Sequence, residues 1–319
     1  MGLGLGLGIW WPTQTSIIPG LLKALCARAT YCENKLCTTA TLEEIAAVRY
    51  TPPPPPTGIL LVDYPGAAAA YSLRNLIDTT TSVVRVRRSN DNTEQDFSAA
   101  EITDGTLTTF TGANDGFVTT WYDQSGNNKH AVQATASEQP KIVDNGVVIL
   151  ENGKSGIVWS GDKRLLITSL NVQNSKRFTQ ISVFKTSNKP NELDWILSGY
   201  NSNNFGIAFQ NNINESRFLF DGSWRNASGM ITEVNTQYLR SIYRTSDTSA
   251  NVYNNENSYL SNVIGDTSYN NIPIAIGNHL YQDESPLDFI IQEIIIYPTD
   301  QSTNRTGIET NINTEYTIY

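Results

Sequence analysis

Histidine and methionine are almost missing from this chain, with two of each in 319 residues. His130 and His279 stand far apart in sequence, so no short His-rich motif offers a metal centre. Cysteine is scarce too. Cys26, Cys32 and Cys37 all lie in the first 40 residues. An odd number confined to that stretch is no disulfide framework for the whole protein, and zinc would want a fourth ligand. They read as free thiols packed in a small helical segment. Charged residues make up only 17%, which argues against a disordered tail and against a Glu/Lys-rich helical protein. The densest basic run is RVRR, Arg85 to Arg88, and the net charge is −9. Nucleic-acid binding thus has no electrostatic footprint, and an anionic membrane surface would repel the chain. The apolar opening MGLGLGLGIWWP is too short to span a bilayer and lacks the basic flank of a signal peptide.

Polar loops and short apolar runs fill the space. Asn, Thr and Ser are abundant, and Tyr outnumbers Phe by 15 to 10. Three parts are expected. Residues 1–51 contain the only helix-favouring sequence, with Leu21, Leu22, Leu25 and Ala29 at helical spacing and then TTATLEEIAAVR with a Thr cap. Two such short helices bury little alone, so this part reads as a docking and oligomerisation segment. In its Gly/Leu arm, Leu3, Leu5 and Leu7 alternate with glycine ahead of Trp10 and Trp11. That arm reads either as a strand with one smooth face docked on a partner or as a frayed terminus. Residues 52–58 hold five consecutive prolines, a polyproline rod that serves as a spacer or as a ligand for an SH3-like domain. Residues 59–319 show runs such as FTQISVFKTS, NFGIAFQ, RFLFDGSW and DFIIQEIIIYP, separated by Gly, Asn, Asp or Pro about every ten residues. This spacing predicts an antiparallel β-sandwich. Two helices are expected within it, over Gly66–Ile77 (GAAAAYSLRNLI) and from Asp300 onward.

Four blocks in one order carry a resemblance: AYSLRNL, VVRVRRSNDNTEQDF, WYDQSGNNKHAVQ and QPKIVDNG…ENGKSGIVWSG. Together they resemble the concanavalin-like jelly-roll domain typified by the catalytic domain of arabinofuranosidase B. The closing block FIIQEIIIYPTDQSTNRTGIETNINTEY resembles the last strand and tail of laminin-G-like jelly rolls. The resemblance implies a mainly β jelly roll over 59–319, with 1–51 as a small helical and extended anchor. Similar modules recur in tailed-bacteriophage fibre and adhesin proteins. An arm, a rod and a lectin-like sandwich in that order imply a structural appendage of a phage virion, in head, collar or tail, assembled in the host cytoplasm. Its expected partners are other virion proteins through residues 1–50, further copies of itself as a homo-oligomer such as a trimer, and a cell-surface glycan.

The alternative is a glycoside hydrolase of the arabinofuranosidase-like type acting on surface polysaccharide. A retaining glycosidase needs two carboxylates ~5 Å apart. The resemblance implies an acid/base Asp just after a Gly-Gly on the strand matching IPIAIGNH, but here Gly277 is followed by Asn278 and His279. Asn cannot donate and recover a proton. LENG, Leu150 to Gly153, lies upstream of the place implied for the nucleophile, so Glu151 reads as a surface residue before a turn. No motif supports Asp221 or Glu233. The expectation is therefore a binding module with no catalytic residue and no resident metal, although Asp283 and Glu284 could hold calcium.

For glycan binding, aromatics and amides in two loops are the candidates: Trp224 and Arg225, then Asn278, His279, Tyr281 and Asp283. Trp224 reads equally as a core aromatic. Four residues are expected to hold the fold. Arg87 or Arg88 should pair with an acid in its own or a neighbouring block, such as Asp96 or Asp123, and Trp121 and Asp123 should mark a strand entering a turn, with Asp123 buried.

Overall fold

The computed structural model describes residues 56–171, 177–187, 193–199, 205–210, 215–220, 223–226, 230, 233–246, 249–262, 272–278 and 288–319. The docking segment, with Leu3, Leu5, Leu7, Trp10 and Trp11, lies outside them. So do His279, Tyr281, Asp283 and Glu284. The described part belongs to one unit that begins at Pro56.

Two antiparallel layers face each other. In the first, β19 (Asn257–Asn262), β18 (Ser249–Asn254), β17 (Gln237–Arg244), β12 (Phe178–Thr186) and β21 (Asp288–Tyr297) lie side by side. The far edge of β21 takes β1 (Ala69–Ser72) and β10 (Ile157–Ser160) one after the other. The second layer starts with β3 (Glu94–Phe97), β2 (Val84–Arg88), β4 (Gly116–Trp121), β5 (Ala131–Val132) and β11 (Leu165–Leu170). It continues through β20 (Ile272–Ile276), β13 (Leu193–Gly199), β14 (Phe205–Gln210), β15 (Glu215–Phe220) and β16 (Ser223–Asn226). A seam joins the layers. There β6 (Lys141–Asp144) pairs with both β4 and β10, and β7 (Val147–Val148) pairs back on β6. A small hairpin of β8 (Leu150–Glu151) and β9 (Lys154–Ser155) follows the seam. This is the β-sandwich that the strand spacing predicts.

Alternation along the strands places one apolar row between the layers. Val84, Val86, Val118, Trp121, Leu165, Ile167, Ile274 and Ile276 of the second layer meet Tyr71, Phe184, Ile242, Val252, Ile291, Ile294 and Ile296 of the first. Trp121 is fully buried, with ring centroids 5.7 Å from Tyr71 and 5.9 Å from Trp159.

Among the described residues, four helices decorate the sandwich: α1 (Leu60–Asp63), α2 (Ala99–Thr103), α3 (Thr106–Thr111) and α4 (Arg305–Tyr316). The expectation of a closing helix holds. A 3-10 turn, Ser302–Asn304, follows Asp300 and leads into α4. Its buried Ile308, Ile312 and Tyr316 recur every fourth residue, the stripe a helix lays on a sheet. With Leu60 and Leu61 of α1 they cover Ile181, Val183, Leu239, Ile295 and Tyr297 on the outer face of the first layer. The helix expected over Gly66–Ile77 is absent. Ala69–Ser72 form β1 and register against Glu293–Ile296. All four are buried, so ladder pairing and burial override the helix propensity of alanine.

A polar weld holds α4 in place. Arg74 clasps Glu293 of β21 through Nε at 2.8 Å and Nη2 at 3.0 Å, and Ser72 Oγ and Tyr316 Oη reach the same carboxylate at 2.9 and 3.1 Å. Burial alone would lower the Arg74 pKa, but the Glu293 carboxylate outweighs it and the net shift is upward. Removing one partner of such a pair costs about 3–5 kcal/mol, because a buried charge is left alone.

Candidate functional site

The outer face of the first layer is covered by α1 and α4. At one end of the second layer β20 stops, β13 begins, β14 ends and β15 begins. One cross-strand row runs Ile276, Leu197, Ile207, Phe218 and Arg225 through five strands. Beyond it toward this end come the rows Trp195–Ala208–Arg217–Asn226 and Asp194–Phe209–Ser216, and finally Leu193–Gln210–Glu215. Two carboxylate residues, Asp194 and Glu215, are thereby set at the end of the sheet from which the chain leaves β20 toward His279 and Asp283. Neither residue carries a local motif, and only the register of β13, β14 and β15 reveals their placement.

The same rows show how far apart the two sets of glycan-binding candidates lie. Trp224 and Arg225 sit on β16, opposite Leu219 and Phe218. Four strand-to-strand steps, ~19 Å along a flat sheet, part them from β20. Asn278, expected to meet ligand, is 2% exposed, and its carbonyl accepts a hydrogen bond from Ser198 Oγ at 3.1 Å. It is thus part of the packing at the end of β20. Gly277 before it has φ +94°, and a Cβ there would lie 1.8 Å from Trp159 Cδ1. Only glycine allows the strand end to lie against that indole.

At the other side of the layer, the β2–β3–β4 ribbon carries a charged and aromatic cluster. Arg85 grips Asp96 with two bonds, 2.7 and 2.9 Å, and Tyr122 Oη donates to Asp96 Oδ1 at 2.7 Å. The Arg85 bonds hold the Asp96 carboxyl below the usual range, against the desolvation that would raise it. Burial first, and then the Asp96 carboxylate, push the Tyr122 phenol up to about 12. The Tyr122 ring meets His130 edge-on, with centroids 5.0 Å apart. His130 Nδ1 accepts the Asp123 backbone N–H at 3.1 Å, which leaves Nε2 as the proton-bearing nitrogen of the neutral ring.

Arg88 pairs with an acid of its own block, as expected, but Asp96 takes an arginine other than the two expected. Arg85, not Arg87, takes Asp96. Arg88 takes Asp91, three residues on, at 2.7 Å. Arg87 points its Nε at Gln139 and its Nη1 at Asn92, both at 2.7 Å, and its guanidinium lies 4.9 Å from the centroid of the Phe117 ring. Sequence adjacency suggested the wrong neighbour. The antiparallel register puts Arg85 opposite Asp96 and Arg87 opposite Glu94.

Several other carboxylates are engaged elsewhere. Asp123 accepts the backbone N–H groups of Ala70, Ser125 and Lys129, each at 2.9 Å, and the Ser125 hydroxyl at 2.8 Å. Glu151 closes on Lys185 Nζ at 2.6 Å, in the hairpin turned by Asn152 and Gly153. Glu309 faces Ser241, Tyr243 and Arg305 under α4. Among the described residues, no three His, Cys, Asp or Glu side chains converge as a metal site would require.

No family model matches the sequence, and no curated protein matches it. Solved structures do match. A glutamate-to-glutamine mutant of a GH54 α-L-arabinofuranosidase, soaked with 4-nitrophenyl α-L-arabinofuranoside, superposes with a TM-score of 0.59 at 12% identity. The match covers 79% of this chain and 63% of that one. A GH54 α-L-arabinofuranosidase soaked with a cyclic sulfate inhibitor gives 0.57 at 14% identity over the same shares. An arabinofuranosidase complexed with arabinofuranosyl-α-1,2-xylobiose gives 0.54 at 15% identity, over 77% of this chain and 62% of that one. The chain thus spans somewhat under two thirds of these enzymes' length.

The fold is a β-sandwich resembling that of GH54 arabinofuranosidases, as the sequence blocks implied. The virion reading is corrected by the same matches. The arm, rod and sandwich order suggested a non-catalytic phage appendage, yet these similar structures are carbohydrate-active enzymes and none is a phage fibre or adhesin. The conclusion that the chain is not an enzyme falls with it. That conclusion rested on Asn278 standing where an acid was implied, whereas the register brings other carboxylate residues to that sheet end.

Proposed function

We propose that this chain is a glycoside hydrolase of the arabinofuranosidase-like type, acting on a polysaccharide. The observation that carries the reading is the sandwich shared with solved arabinofuranosidases over more than three quarters of the chain. The sheet end described above supports it. The register of β13, β14 and β15 sets the Asp194 and Glu215 positions at that end, and Asp283 and Glu284 follow β20 in the sequence, so carboxylate residues suited to the two roles are at hand. One carboxylate attacks the anomeric carbon or activates water, and the other protonates the departing oxygen. The Trp195 and Trp224 positions, on strands flanking β14 and β15, give the sheet aromatic residues suited to stacking on sugar faces. The partner on this reading is a glycan.

The test is release of 4-nitrophenol from 4-nitrophenyl α-L-arabinofuranoside by the full chain. Turnover should fall by at least about a hundredfold in Glu215→Gln, with unchanged thermal stability. A wild-type chain that hydrolyses neither this substrate nor any of a panel of plant and bacterial polysaccharides would overturn the proposal. Full activity in Glu215→Gln would remove that residue from it.

A further inference from the structure

A cleft at the seam between the layers shares no lining residue with the β13–β15 rows just described. Its volume is about 370 Å³, within the range of small-molecule sites, and it is lined by Phe117, Lys141, Asp144, Ile149, Val158, Ser160 and Lys163. The seam creates it. Lys141 of β6 pairs with Phe117 of β4 on one side and Val158 of β10 on the other. Phe117, Ile149 and Val158 therefore give the cleft an apolar lining, with the Lys141 ammonium 5.7 Å from the centroid of the Phe117 ring.

The charges at the rim leave one ammonium group over, because Lys141 is held by two carboxylates and Lys163 by none that is described. Two ammonium groups, Lys141 and Lys163, face one carboxylate, Asp144, in a protein of net charge −9. The two lysines are not equivalent. Lys141 is braced by Asp144 at 2.8 Å and Asp115 at 2.9 Å. Burial draws its pKa down, but the bonds to the two acids prevail and the net shift is upward. Lys163 donates to the Ser137 carbonyl and makes no ion pair with a described carboxylate. An ammonium with two further donors at the mouth of an apolar cleft suits an anion carried on a ring.

We infer that this cleft binds an acidic sugar residue, a hexuronate, as a subsite that uses none of the β13–β15 residues assigned to hydrolysis. The inference rests on the glycan reading for the choice of a sugar ring. The ring's C–H face would lie on Phe117, Ile149 and Val158. Its carboxylate would meet Lys163, and its hydroxyls would meet Ser160 and Asp144. The substrate class is then an arabinose-bearing or similar polysaccharide whose backbone contains uronic acid.

Saturation-transfer NMR of the full chain with D-glucuronate and with D-glucose tests this. Glucuronate should saturate and glucose should not. Lys163→Gln should weaken glucuronate binding by about tenfold or more, the loss of one charge-assisted hydrogen bond. Glu215→Gln should bind glucuronate as wild type does. Equal saturation of the two sugars, no saturation of either, or unchanged binding in Lys163→Gln would each overturn the inference. Because binding is read without turnover, glucuronate binding by a chain with no hydrolase activity would leave the subsite standing while the enzymatic reading fell. Loss of glucuronate binding in Glu215→Gln would merge the two sites and refute a separate cleft.

Discussion

Replacing Asp123 with alanine should cost the domain about 3 kcal/mol. The carboxylate accepts three backbone N–H groups, from Ala70, Ser125 and Lys129. Ala70 is fully buried in β1, so its N–H cannot turn to water and carries the penalty of an unmet donor, about 1–3 kcal/mol. Ser125 and Lys129 are only partly buried, so solvent recovers much of their loss and each adds about 0.5 kcal/mol. The Ser125 hydroxyl at 2.8 Å adds a similar increment. For a domain of this size 1 kcal/mol moves the melting temperature by about 2–4 °C, so a fall of about 6–12 °C is expected. Asp123→Asn keeps one acceptor oxygen and should lose roughly a third as much. Urea denaturation followed by tryptophan fluorescence measures both, since Trp121 and Trp159 are buried in the same core. Glycan affinity per folded molecule should not change. An Asp123→Ala midpoint within experimental error of wild type, or a fully stable variant that no longer binds glycan, would refute the assignment of this residue to the turn.

Two further outcomes follow from contacts already described. Gly277→Ala combines a Cβ 1.8 Å from the Trp159 ring with a left-handed backbone at φ +94°, and should cost about 3 kcal/mol or more in a urea titration, whereas an unchanged midpoint would contradict the packing. Tyr122 should ionise near 12, pushed up by burial and by Asp96. The folded state thus favours the neutral phenol, so this contribution to stability is complete below the ordinary tyrosine value of about 10 and is lost as pH rises through 12. The phenolate absorbance band of wild type minus Tyr122→Phe measures it, and a difference step near 10 would show that the Asp96 contact does not form.

Much of the fold was legible because its signals are local. Short apolar runs between Asn, Gly and Asp predict the strands, and the Asn145–Gly146 and Asn152–Gly153 pairs, all four with positive φ, turn the small hairpins. Asp123 could be assigned to a turn because its partners Ser125 and Lys129 lie within six residues. The failures are non-local. Alanines 67–70 look helical until β21, far along the chain, offers them a ladder. Arg85 finds Asp96 only through the pairing of β2 with β3, while proximity favours other arginines. The sheet end holding Asp194 and Glu215 depends on the register of successive strands, which no spacing in the sequence states. The four strand steps between Trp224 and Asn278 are likewise set by register and by no spacing in the sequence.

Strand β21 has a bearing on how the molecule comes into being. It pairs with β1, β10 and β12, and its first-layer partners include Ala69, which meets Ile296 across more than two hundred residues. Until β21 has left the ribosome, β1 lacks its neighbour, β12 has an open edge, and the apolar row Ile291, Ile294 and Ile296 is missing from the core. Contacts of such sequence separation make closure slow, and the waiting strands stay exposed to mispairing. Synthesis order therefore makes the nascent sandwich a client for chaperones until β21 arrives, and expression at low temperature should favour the closed form over aggregates.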